Sequence, residues 1–204
     1  MSSDKCHNIC RIPAFAGMGL MASIFLLTSL CLGAMTSAHG SETKGGKPMT
    51  LQLSSQAFSH NDSIPMLYTC DGRDFSPPLS WSGLPPGTKS LALIVDDPDA
   101  PDPRAPKMTW VHWVLYNIPT EAKDMEENAG DGGLPAGTME GVNDWGRTGY
   151  GGPCPPIGRH RYFYKLYALG IVLPDLDHPK KEELLQVMRG HILGQAELIG
   201  TYER

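Results

Sequence analysis

Three short stretches carry residues able to do chemistry together. Asp96-Asp97-Pro98-Asp99-Ala100-Pro101 closes one apolar run, Trp110-Val111-His112-Trp113 sets a histidine inside another, and Gly151-Gly152-Pro153-Cys154-Pro155-Pro156-Ile157-Gly158-Arg159-His160-Arg161-Tyr162 is a stiff loop feeding a third. Imidazoles donate hydrogen bonds to oxyanions, and a carboxylate orients an imidazole or accepts from an amine. Glycines admit close backbone approach and prolines fix its direction, so N–H groups of such a loop line small concave sites. The set suits phosphate, a phosphomonoester or a phosphoethanolamine-like head group, held without catalysis. Two histidines and a carboxylate are also the donors of a facial metal triad, and a His–Asp pair can activate a nucleophile. The opposing reading is therefore a hydrolase or metal-dependent enzyme using His112, His160 and Asp97. Against it, the chain has no Gly-x-Ser-x-Gly turn and nothing resembling a dedicated helical pair of metal ligands.

Each residue also has a plainer reading. A lone histidine in a strand is commonly a core residue bonded to a carbonyl, an aspartate before proline is turn chemistry, and His160 between Arg159 and Arg161 could be a solvated basic edge. His39, His60, His178 and His191 stand outside the three stretches, and Trp81, Trp113 and Trp145 read as core or rim.

Strands are the elements that must position these groups. Leu51-Gln52-Leu53 alternates, Ser90 to Val95 is a buried-strand run ended by Asp96 and Asp97, Trp110 to Ile118 is a third run, and Arg161 to Leu169 alternates with aromatic emphasis. Strands this far apart, joined by Pro/Gly-rich loops, suggest an antiparallel sandwich. Gly130 to Gly158 reads as a long structured loop of the functional kind. From Pro179, Leu184, Met188, His191 or Ile192, and Ile199 recur at helical spacing, with Asp177 as cap and Gly190 as a break or bend.

Composition narrows the function. The 204 residues carry 17 Lys+Arg against 22 Asp+Glu, a net charge of -5, which disfavours a broad electrostatic grip on nucleic acid or anionic lipid. Lys5 and Arg11 precede an apolar run from Met18 to Leu32, and small residues follow at Ala34, Ser37 and Ala38, the order of a secretory signal. The expected organisation is a signal peptide at 1–38, a flexible leader at 39–50 and one domain at 51–204, exported to the periplasm or beyond, with no stable membrane span after processing. The alternative for the leader is an uncleaved anchor. Cleavage after Ala38 removes Lys5, Arg11 and Asp4 and leaves 15 basic and 21 acidic residues, a net -6. It also removes Cys6, Cys10 and Cys31, so Cys70 and Cys154 are left either to form one bridge or to stay as two buried thiols.

Together these stretches resemble the phosphatidylethanolamine-binding protein family, also called Raf kinase inhibitor-like proteins, in its bacterial and archaeal branch. Tyr68-Thr69-Cys70-Asp71-Gly72, Ser76-Pro77-Pro78-Leu79-Ser80-Trp81, His112 to Pro119, Asn143-Asp144-Trp145-Gly146, Gly190-His191-Ile192-Leu193 and Gly200-Thr201-Tyr202 extend the resemblance over about Leu51 to Arg204. It implies a mainly β fold, a Greek-key sandwich of two antiparallel sheets with peripheral helices. It also implies an anion pocket made by Asp97, His112, His160 and Tyr162, with Pro101, Pro155 and Pro156 at the mouth. The expected ligand-binding set is Asp97, Asp99, Pro101, His112, Cys154, Pro155, Pro156, His160 and Tyr162, with no cofactor and no metal. Gly170 stands where many relatives have an acidic residue. Expected partners are a small anionic or phosphorylated ligand and a protein that the binding protein inhibits or regulates, with a homodimer left open. An anion between His112 and His160 should favour their protonated forms, so binding should weaken as the pH rises through roughly 6 to 8.

Overall fold

The structure is a computed structural model describing residues 50–204; the signal peptide read at 1–38 and all but the last residue of the 39–50 leader lie outside the described residues. Eight strands and one α-helix make up the domain: β1 (Gln52–Ser54), β2 (Leu79–Ser82), β3 (Ser90–Asp97), β4 (Trp110–Ile118), β5 (Asp124–Met125), β6 (Met139–Glu140), β7 (His160–Leu169), α1 (Lys181–Met188) and β8 (Ile192–Tyr202). A single 3-10 turn spans Met66–Tyr68. The strands form two antiparallel sheets, ordered β1-β2-β5 and β6-β4-β3-β7-β8. β3 and β4 are neighbours, β6 follows beside β4, and β7 then returns to the free side of β3, which is the Greek-key order. The described domain is thus mainly β, as expected, and the one α-helix among the described residues lies at its periphery.

Both faces of the large sheet are covered, which is why β3 reads as an unbroken apolar run. Leu91, Leu93 and Val95 meet Leu53, Trp81 and Trp113 in a core between the sheets. Ala92 and Ile94 meet Leu184 and Met188 of α1 in a second core on the opposite face. Each large apolar side chain so buried stabilises the fold by roughly 1.5–3 kcal/mol. The two aspartates ending β3 follow the same alternation. Asp96 lies fully buried on the helix side, where Lys165 Nζ at 2.8 Å and Lys181 Nζ at 2.6 Å pair with it, so the carboxylate ties α1 to the sheet. Asp97 faces the other way.

β4 departs from regular alternation where it matters most. Val95 pairs with Trp113 but Asp96 pairs with Val111, so His112 has no partner on β3 and sits in a bulge. In a regular strand His112 would lie opposite in sense to Trp113, on the helix-covered face. The extra residue moves Val111 to that face and turns His112 to the end of the inner core, toward Asp97 and Tyr162.

The C-terminal segment corrects the expected helix. α1 ends at Met188, Gly190 adopts φ +80°, and Ile199 lies in β8, every residue of β7 being paired along that strand. The helix cap is Lys180 rather than Asp177: its N–H donates to Glu183 Oε2 at 2.8 Å. Gly170 donates its N–H to His191 O at 2.9 Å at this end of the sheet and is not a cavity residue.

Candidate functional site

The bulged end of β4, the end of β3, the start of β7 and the Gly151–Pro156 loop enclose a cavity of about 330 Å³. That is within the range of small-molecule pockets, about 300–1,000 Å³. Asp97, Ala100, Pro101, Met108, Trp110, His112, Trp145, Cys154, Pro155, Pro156, His160 and Tyr162 line it, and none of these is a lysine or arginine.

The loop is held from behind. Cys70 and Cys154 form a disulfide with Cα atoms 5.4 Å apart, and Cys70 N–H donates to Pro153 O at 3.1 Å. A bridge across 84 residues stabilises the folded chain by up to about 4 to 5 kcal/mol in the chain-entropy account. Both cysteines are exposed, so neither is a buried thiol. Gly152 donates to Asp74 Oδ1 at 2.6 Å. A Cβ at Gly151 would lie 2.4 Å from the Trp145 ring, so a larger residue there would displace the indole. Trp145 itself is placed by a turn in which Asn143 Oδ1 accepts from the Trp145 N–H at 3.0 Å, and Asp144 Oδ2 accepts from Val111 N–H at 2.7 Å.

His112 is fixed by the same loop. Gly151 N–H donates to His112 O at 3.1 Å, and His112 Nδ1 meets Gly151 O at 2.6 Å. A carbonyl only accepts, so Nδ1 carries the hydrogen and Nε2 bears the lone pair. Burial pushes the imidazole down to about 4, outweighing the Gly151 carbonyl, Asp96 and Asp144, which favour the cation. At neutral pH His112 is therefore uncharged. The Trp145 ring packs edge-on 5.1 Å from it, and Tyr162 does so at 5.2 Å.

His160 is bonded on both sides within the protein. Nδ1 lies 2.7 Å from Asp97 Oδ2 and Nε2 lies 3.1 Å from Ile157 O. Asp97 Oδ1 accepts in addition from Asp99 N–H at 2.8 Å. Burial raises the Asp97 carboxyl above its usual range, against the lowering by His160 and the Asp99 amide.

Eight of the nine expected residues gather on the cavity; Asp99 does not. Its carboxylate clasps the Arg161 guanidinium, with Nη2–Oδ1 at 2.7 Å and Nε–Oδ2 at 2.9 Å, and also takes the Arg161 N–H at 2.9 Å. Those hydrogen bonds hold it below the usual carboxylate range. Asp99 thus pins the start of β7. Among the described residues no three His, Cys, Asp or Glu side chains are gathered as a metal-holding group. Ala100, Met108, Trp110 and Trp145 line the cavity without having been expected to. Trp110 stood in the histidine motif and Trp145 in a tight Asn-Asp-Trp-Gly turn, whereas Met108 had no signal.

Among the described residues, five buried side-chain polar atoms lack a hydrogen-bond partner, and three belong to this lining: His112 Nε2, Tyr162 Oη and Trp110 Nε1. Groups of this kind are rare in folded proteins and call for an explanation.

Comparison with known proteins agrees with the architecture. Residues 54–203 match the family model described as Phosphatidylethanolamine-binding protein. A UPF0098 protein of Methanothermobacter thermautotrophicus is 52% identical over 76% of this chain and 99% of its own length, and one of Chlamydia muridarum is 46% identical over the same shares. Among solved structures, a phosphatidylethanolamine-binding protein homologue of Chlamydia trachomatis is 44% identical with a TM-score of 0.70, covering 76% of this chain and 99% of that one. Escherichia coli YbcL is 33% identical with a TM-score of 0.69, covering 76% and 98%. With its Greek-key sandwich, its bulged histidine and its match along nearly the whole described domain, the chain belongs to the phosphatidylethanolamine-binding protein family.

Proposed function

We propose that the protein is a non-catalytic binding protein whose cavity takes a small oxyanion, a phosphate, phosphomonoester or phosphoethanolamine-like group, and through it regulates or inhibits a partner protein. The observation that carries this reading is the trio of unpartnered polar atoms on one cavity, since a bound ligand satisfies all three. The hydrolase reading has less support. The His160–Asp97 pair is directed at the Ile157 carbonyl rather than at a hydroxyl, and the one cysteine in the lining is oxidised. Export belongs to the same proposal, and an exposed disulfide fits an oxidising compartment.

Calorimetric titration with inorganic phosphate and O-phosphoethanolamine tests the reading. Tyr162→Phe removes one of the unpartnered atoms and should weaken binding about ten- to a hundredfold, the worth of a hydrogen bond to a charged group. His60→Ala, at an exposed site away from the cavity, should leave it unchanged. Equal affinities in the two variants, or no binding at millimolar ligand, would overturn it.

A further inference from the structure

Resting on that reading, we propose that the cavity selects a phosphomonoester in its singly charged form, with the acid hydrogen of the ligand donated to His112 Nε2 and other ligand oxygens accepting from Tyr162 Oη and Trp110 Nε1. The argument is one of matching donors to acceptors. The Gly151 carbonyl at 2.6 Å fixes the hydrogen on His112 Nδ1 and leaves Nε2 as an acceptor. Trp110 Nε1 only donates. The Tyr162 hydroxyl, raised well above the usual tyrosine range by burial and by Asp97, Tyr164 and Asp99, keeps its hydrogen and donates too. These three groups therefore offer two donors and one acceptor.

A doubly charged phosphomonoester brings acceptors only. One of its oxygens would face the His112 lone pair with no hydrogen between them, a mismatch that is costly in a buried site. Its second charge would also find no lysine or arginine in the lining, and the Asp97 carboxyl stands nearby. The singly charged form supplies the missing hydrogen and carries half the charge. Asp97, His160 and Tyr162 share the cavity with His112, and Asp96 and Asp144 act on it from outside the cavity; the field of Asp96 and Asp144 does not outweigh burial of the ring. The imidazole thus stays an acceptor through the range in which a phosphomonoester loses its second proton, near pH 6.

Methyl phosphate and methyl sulfate decide the matter. They have similar shape, but the sulfate ester is singly charged with no acid hydrogen. Both are titrated by calorimetry into the full chain between pH 6 and 8, and the ratio of the two affinities removes pH effects on the protein that the two esters share. Methyl phosphate should bind about tenfold or more tighter than methyl sulfate at pH 6. Its advantage should shrink on the order of fiftyfold by pH 8 as the singly charged fraction disappears. Equal affinities at pH 6, or a ratio constant with pH, would overturn this inference and leave oxyanion binding standing. Binding of neither ester at millimolar concentration would overturn the proposed function and this inference with it.

Discussion

The two histidines of the cavity stand a few ångströms from the same tyrosine, yet they differ in what the protein has already given them. His160 has a carboxylate on one nitrogen and a carbonyl on the other. His112 has a carbonyl on one nitrogen and nothing on the other. On the first half of the site the fold has satisfied its own buried polar groups, so those groups answer to stability. On the second half it has left His112, Tyr162 and Trp110 short of partners, and under the proposed function those answer to a ligand. A motif containing both histidines does not distinguish the two roles; only the partner of each nitrogen does.

The largest expected effect lies on the satisfied side. Asp97→Ala removes the partner of His160 Nδ1 and of the Asp99 amide in a nearly solvent-free place, and should cost about 3–5 kcal/mol in urea unfolding, as expected for breaking a buried pair. A loss below 1 kcal/mol would show that this half is not structural. On the unsatisfied side, His112 makes the next largest effect, through pH. Its ring binds protons less tightly folded (about 4) than unfolded (6.5), so the unfolded chain takes up more protons between those values and stability rises with pH across that window. The sign is opposite for Asp97, whose raised carboxyl holds its proton more tightly in the folded state. The His112 contribution, about 3 kcal/mol present near pH 7 and lost on acidification to pH 4, is isolated by comparing the wild-type chain with His112→Asn: the difference in unfolding free energy should favour the wild type by about 3 kcal/mol more at pH 7 than at pH 4. A difference constant with pH would contradict it. The smallest expected effect is Tyr162→Phe, which deletes a buried hydroxyl with no protein partner and should leave unfolding unchanged or raise stability by up to about 1 kcal/mol. A clear loss would mean that the hydroxyl is satisfied within the protein.

The sequence carried the frame of this arrangement better than its detail. Trp110–Ile118 is a strand with the bounds its apolar run suggested, and His112, His160, Asp97 and Tyr162 meet on one cavity. The bulge was invisible, because one extra residue in a strand buried on both faces leaves no trace in hydrophobic periodicity. Asp97 and Asp99 read alike for the reason that both precede a turn; strand alternation turns Asp97 inward, while Asp99 is held by Arg161, sixty-two residues away. β8 differs from the helical expectation because Ile192 and Ile199 fit a helical repeat as well as a strand, and pairing with β7 decides the matter. Trp145 reads as core or rim, and its place in the cavity lining follows from contacts with Gly151 and His112 that no local pattern encodes.

The bulge at His112 also has a practical meaning for protein engineering. Copying the cavity's side chains onto an ordinary strand of another sandwich would aim the imidazole through the sheet, into the layer that α1 occupies here. A successful transplant has to carry the irregular pairing opposite Val95 and Asp96 along with the residues, so the smallest portable unit of this site is a defect in a sheet rather than a set of amino acids.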